Sequence, residues 1–270
     1  MSAPTIAAGL GGTVAMTYSA NRHVAILGDD DGRLSVLDLR RPMSGGYEWR
    51  VVGQGYRGVG HLAYDDISDR LIVVDADGAW VARLPVAGRA DATAFAVSPA
   101  DVLAVHTVSV AGAPAAAVLE GGPTPCLAAY NLGAEPGSRV RTLLGSLVGA
   151  RDAAIADSTS AFLLASSGGA TLLQLADWNA ASVTHIGSGA LPFGDFIATL
   201  DSQWVLVVSV RGELACVRRD GTLRLPAAAG SPSSVTALVV TTDDRVLMAT
   251  GDSILEDRLP ADIRGSATPL

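Results

Sequence analysis

His23 to Leu39 reads HVAILGDDDGRLSVLDL: an apolar run, an Asp-rich turn ending at Gly32, and a second apolar run. An Asp-Gly step between two such runs is a strong short-range hairpin signal, because the tight turn needs positive φ and these residues tolerate it. The phrase recurs as RLIVVDADGAWVARLP (Arg70 to Pro85), AFLLASSGGATLLQL (Ala161 to Leu175), WVLVVSVRGELACVRR (Trp204 to Arg219) and RVLMATGDSILEDRLP (Arg245 to Pro260), with a weaker copy from Val102. Anchored on His23, Arg70, Val102, Ala161, Trp204 and Arg245, the copies lie 47, 32, 59, 43 and 41 residues apart. These intervals scatter around the length of a β-propeller blade, so the chain is expected to be all-β, with six blades of mostly four antiparallel strands.

The innermost strands are expected at Val14 to Ser19, His61 to Asp65, Thr93 to Val97, Ala153 to Asp157, Phe196 to Leu200 and Val235 to Val240. The third unit carries AGAPAAAVLEGGPTP (Ala111 to Pro125) as an insertion, and a hidden seventh blade there is the alternative count. The sixth unit lacks an outer strand, because residues 260–270 hold Pro260, Gly265 and Pro269 and read as an irregular tail. The apolar segment Thr5 to Gly9 is expected to supply that strand and close the ring, which removes two free sheet edges. Second strands such as LIVV, FLLA and VLVV are continuous apolar runs, as strands covered on both faces should be. A β-sandwich explains the strands but not the repeat. A doubly wound α/β fold is disfavoured, since no segment of suitable length carries a 3.6-residue apolar period. At 270 residues and 49% hydrophobic content, residues 1–270 are expected to form one domain.

The formal charge is −8, and all 19 basic residues are Arg; the chain has no lysine. An acidic balance argues against nucleic acid, whose binding needs clustered cations to displace counterions. A lysine-free chain also excludes Schiff-base chemistry on Lys. Arg and Ala bias in a GC-rich genome accounts for the pattern, and selection against reactive amines is the alternative. MSAPTIAAGLGGTVAM lacks the basic start and long apolar core of a secretory signal, and no apolar run of bilayer length occurs. Cys126 and Cys216 sit in strand-like contexts as small hydrophobes. The expectation is a cytoplasmic protein with no membrane partner.

GDDDGRLSVLDL (Gly28 to Leu39) resembles the blade signature of WD-repeat propellers, with Leu37-Asp38 in place of the Trp-Asp pair, and Gly60-His61 is similar to that family's Gly-His pair. The resemblance implies a scaffold that presents loops on one face of the ring to protein partners. ATLLQLADW and GELACVRRDG are looser matches, and the second is also similar to blades of quinoprotein-like propellers.

Aligning the repeats places Asp152 and Asp195 at equivalent points, just before the innermost strands of the fourth and fifth units; Asp91 and His61 lie close to the corresponding points of the third and second. Gathered at a channel mouth, they would bind a cation or act as general acid and base; otherwise each caps a turn or pairs with Arg89 or Arg151. The Asp29 to Gly32 and Asp75 to Gly78 turns lack the oxygen spacing of calcium loops and read as hairpins. His23, His61, His106 and His185 have no metal-ligand spacing, and His106 reads as a core residue. No G-x-S-x-G elbow or lactonase-like Glu and Asn set is present, and no metal or cofactor is expected.

Arg40 to His61 concentrates aromatics and arginines in a chain that is only 5% aromatic. Tyr56, Arg57, Trp49, Trp178 and Phe193 are therefore candidate partner-binding residues, since aromatics and Arg dominate binding hot spots; packing between blades is the other role open to them. The first expectation is a non-catalytic interaction scaffold. The second is a lyase, hydrolase or cyclase, or a small-molecule binder, working at the channel mouth.

Overall fold

The computed structural model describes residues 4–43, 46–84, 88–95, 97–98, 101–133, 135–225 and 234–259; the expected tail at 260–270 lies outside them. Alternating apolar strands and tight turns form six four-stranded antiparallel sheets. Blade one is β2 (Thr13–Ser19), β3 (Val24–Asp29), β4 (Leu34–Met43) and β5 (Gly46–Gly53). Blade two is β6 (Val59–Asp65), β7 (Arg70–Asp75), β8 (Gly78–Ala82) and β9 (Thr93–Ala94). Blade three is β10 (Val102–Val110), β11 (Ala113–Glu120), β12 (Cys126–Asn131) and β13 (Arg139–Leu144). Blade four is β14 (Ala150–Ile155), β15 (Ser160–Ser167), β16 (Ala170–Asp177) and β17 (Ser182–His185). Blade five is β18 (Phe196–Thr199), β19 (Trp204–Val208), β20 (Leu214–Arg218) and β21 (Leu223–Arg224).

Blade six joins both ends of the chain. β22 (Ala237–Val240), β23 (Arg245–Thr250) and β24 (Ser253–Arg258) take β1 (Thr5–Ala8) as their outer strand, with Thr5 opposite Leu255 and Ala8 opposite Ser253. The N-terminal closing strand is therefore as expected. Ile6, Ala7 and Leu10 pack into the core shared by blades six and one.

The core is a ring of six apolar clusters, one between each pair of neighbouring blades. Sheets facing sheets on both sides explain why β3, β7 and β19 are buried along nearly their whole length. The inner strands touch in sequence, and β22 returns to β2. We call the face where they begin the upper face and the face where they end the lower face.

Two assignments made from sequence change. Thr93–Ala94 is the outer strand of blade two, paired with Trp80 and Val81, and not the innermost strand of blade three. The expected insertion contains β11, the second strand of blade three, joined to β10 by a two-residue loop with φ of 52° at Ala111 and 81° at Gly112. Positive φ at both loop positions is the hairpin geometry whose twist matches the flanking strands. With β11 restored, second strands begin at Val24, Arg70, Ala113, Ser160, Trp204 and Arg245, at intervals of 46, 43, 47, 44 and 41 residues. No seventh blade occurs among the described residues.

Candidate functional site

An inner strand presents its free edge to the ring axis, so its N–H and C=O groups and the polar side chains beside them line the channel. Two chambers result. The upper holds about 320 Å³ and is lined by the first residues of the inner strands, among them His61, His106, Arg151, Asp152, Asp195 and Thr236. The lower holds about 230 Å³, and Tyr18, Tyr64 and Thr107 are among its lining residues. Met16, Leu62, His106, Ile197 and Leu238 border both and form the waist.

The polar residues of the channel bind the backbone of the neighbouring blade. The His61 ring is turned toward the Val102 backbone of blade three, and the His106 ring toward the Ala153 backbone of blade four, each contact favouring the charged imidazole. Asp152 of blade four accepts the Ile197 N–H of blade five at 3.1 Å, and also the Ala153 N–H at 2.8 Å. Thr236 Oγ1 of blade six donates to the Thr13 carbonyl of blade one at 2.6 Å. Arg151 Nη2 donates to Thr171 Oγ1 at 2.8 Å and to the Gly194 carbonyl, while its buried Nε has no hydrogen-bond partner. The result is a girdle of side-chain bonds that satisfies edge groups of adjacent blades.

Burial shifts three of these groups. The Asp152 carboxyl is pushed up to about 7, because desolvation of its charge outweighs the two backbone N–H bonds and the nearby Arg151. His106 is pushed down to about 4 by desolvation, partly offset by its bond to Ala153, with the positive charge of His61 lowering it further. His61 is lowered by the same desolvation, opposed by its bond to Val102. Asp152 and His106 both keep some accessible surface toward the channel.

Of the four residues expected at the mouth, the structure brings together Asp152, Asp195 and His61. Asp91 lies elsewhere, in the short 3-10 turn Arg89–Asp91 ahead of β9, because the innermost strand of blade three begins at Val102 and not Thr93. Burial, and not a neighbouring carboxylate, is the cause of the Asp152 shift; Asp195 is exposed and accepts the Val210 N–H at 2.8 Å. His106, expected in the core, is a channel residue; its place on an innermost strand is the signal that the misread third blade concealed. Among the described residues no group of three or more His, Cys, Asp or Glu could hold a metal ion.

The aromatic candidates do not form one patch. Tyr56 is only 5% exposed in the core between blades one and two, its hydroxyl buried without a partner. Burial pushes that hydroxyl up to about 12. Trp49 packs between blades six and one, Trp178 between three and four, and Phe193 between four and five. Trp178 follows a third strand, which places it at the lower face. Arg57 is different: its side chain is 77% exposed at the upper face, its N–H is held by Asp75 at 2.9 Å, and its guanidinium pairs with Asp77 at 3.4 Å. Arg89 joins this group, 2.6 Å from Asp77 and stacked 4.5 Å over the Trp80 ring, while Trp80 Nε1 donates to Asp75 at 2.9 Å.

No helix among the described residues is long and apolar enough to cross a membrane. No protein-family model and no curated protein sequence matches the chain. Solved structures do resemble it. The WD40 β-propeller domain of Doa1 aligns over 94% of this chain and 94% of its own, at 12% identity and a TM-score of 0.63. A gluconolactonase of Xanthomonas campestris aligns over 95% of this chain and 88% of its own, at 15% identity and a TM-score of 0.67. A chain of a nidogen/laminin complex aligns over 80% and 81%, at 11% identity and a TM-score of 0.58. Likeness at these identities is likeness of fold, and the chain is an all-β, six-bladed propeller.

Proposed function

We propose that residues 1–270 act as one non-catalytic, intracellular propeller domain that recruits a protein partner through its upper face. The observation that carries this reading is the commitment of the channel carboxylates. Asp152 and Asp195 each hold a backbone N–H of blade five, which gives both carboxylates a part in fixing that blade. Exposed and anchored function sits instead on the loops, where Arg57 projects from the Asp75, Asp77, Arg89 and Trp80 group. Arg on a rigid platform is a typical binding anchor. The WD40 domain of Doa1 lends the reading general support as a propeller of this fold.

The test is purification from the native cell with mass spectrometry of what accompanies the protein. A partner retained by the wild type and by Asp152→Asn and Asp195→Asn, but lost on Arg57→Ala, is the expected result. A second reading, a small-molecule enzyme, rests on the Asp152 carboxyl poised near neutral pH. A protein recovered alone, with a small molecule that Asp152→Asn no longer retains, would replace the first reading with the second.

A further inference from the structure

The lower outer flank of blade one is left open beside blade two. β9 pairs only with Trp80 and Val81, at mid-strand, so the stretch around Leu84 lacks an outer strand over it among the described residues. A cavity of about 250 Å³ results, with Val24, Val36, Val52 and Leu84 as its floor. Asn21, Arg22, Arg40 and Arg50 complete the lining, which includes no carboxylate; Asp38 and Glu48 line an adjoining cavity that shares Val24, Val36, Arg40 and Arg50. On a chain of formal charge −8, Arg22 and Arg40 are balanced by Asp69 and Asp38, and Arg50 adds a positive charge with no ion pair among the described residues.

The three head groups are held differently. Arg22 Nε donates to Tyr64 Oη at 3.0 Å, and its Nη2 to both oxygens of Asp69 at 2.7 and 2.9 Å. Arg40 is fixed to Asp38 through Nε at 2.9 Å and Nη2 at 2.5 Å. In each case Nη1 makes no hydrogen bond among the described residues. Arg50 is exposed, opposite Val36 on the neighbouring strand, and makes no ion pair among the described residues. The site thus offers two pre-positioned guanidiniums and one unneutralised charge above an aliphatic floor.

That combination selects an amphipathic ligand. Guanidinium groups match a carboxylate with paired N–H donors. Three valines and a leucine give an aliphatic chain an apolar bed, and the one uncharged polar side chain of the lining, Asn21, already spends its Nδ2 on the Asp66 carbonyl at 3.2 Å. The volume lies below the roughly 300–1,000 Å³ of pockets for drug-sized molecules. We propose that this cavity binds a small aliphatic carboxylate, its head group received by Arg50 with Arg22 and Arg40 and its chain lying on the valine floor. The site is distinct from the upper face and does not depend on the partner proposed there.

Calorimetric titration of the full chain with octanoate, 1-octanol and inorganic phosphate tests this. Octanoate should bind saturably, and 1-octanol and phosphate at least about tenfold more weakly, the scale of one lost charge-assisted hydrogen bond. Arg50→Ala should weaken octanoate about tenfold or more without changing the melting temperature, and Arg50→Lys should restore only part of the loss. Arg57→Ala should leave octanoate binding unchanged. The proposal is overturned if octanoate shows no saturable binding, if 1-octanol or phosphate binds as tightly as octanoate, or if Arg50→Ala has no effect.

Discussion

Asp152 and His106 titrate in opposite senses on neighbouring inner strands. The folded pKa of His106, about 4, lies below its ordinary 6.5, so its contribution to stability is present above pH 6.5 and is lost as pH falls toward 4. Asp152, at about 7 in the folded chain against 3.8, contributes below pH 3.8 and loses that contribution as pH rises through 7. Urea denaturation between pH 4 and 8 should therefore show Asp152→Asn gaining on the wild type as pH rises, and His106→Gln gaining as pH falls. A flat difference for Asp152→Asn would mean that its carboxyl titrates as in the unfolded chain. Tyr56 supplies a second residue-scale test. Tyr56→Phe removes a buried, unpartnered hydroxyl and should be neutral or stabilising. Tyr56→Ala should cost about 3 kcal/mol or more through the cavity it opens, and Arg57→Ala no more than about 0.5 kcal/mol, both by urea denaturation. The Gly-rich loop around Tyr56 left binding and packing both open in the sequence; its burial comes from a cluster with Ile26, Leu34, Leu62 and Leu71 of blades one and two, contacts no local pattern records.

Strands of blades one, four and five were legible because their apolar runs are dense and their turns carry Asp-Gly or Gly-Gly. Blade three was not. β10 is a nine-residue apolar strand that looks like a second strand, whereas β11, APAAAVLE, carries Pro114 and an Ala run of low strand propensity. Misreading that one element moved the innermost strand to Thr93, and with it Asp91 into the candidate site and His106 into the core. Asp152 and Asp195 escaped the error because blades four and five keep the repeat intact. Turns give the test at this scale. Gly112 has φ of 81° and open space around its missing Cβ, so Gly112→Ala should cost only the left-handed penalty, about 1–2 kcal/mol. Gly32 has φ of 82° and a Cβ there would collide with the Tyr56 carbonyl, so Gly32→Ala should cost clearly more, measured by the same urea midpoints.

Ring closure decides whether six blades behave as one body. Each apolar cluster is shared by two neighbours, so no blade buries its faces alone, and a gap at one seam exposes the flanks of blades one and six together. The seam holds through several contacts: β1 pairs with β24, the Glu256 N–H donates to the Pro4 carbonyl at 3.0 Å, and Arg245 reaches from β23 to Tyr47 Oη at 2.9 Å. Removing Met1 to Leu10 deletes the outer strand of blade six and the buried side chains of Ile6 and Leu10. At roughly 1.5–3 kcal/mol for each large aliphatic residue, the loss is on the order of 4 kcal/mol, which for a chain of this size lowers the melting temperature by about 10 °C. Calorimetry of the truncated chain should show this drop as one transition at lower temperature, because clusters linked around a ring fail together. A truncated chain that melts with the full-length protein would mean that β1 does not close the ring, and two separated transitions would mean that the blades do not share their stability around it.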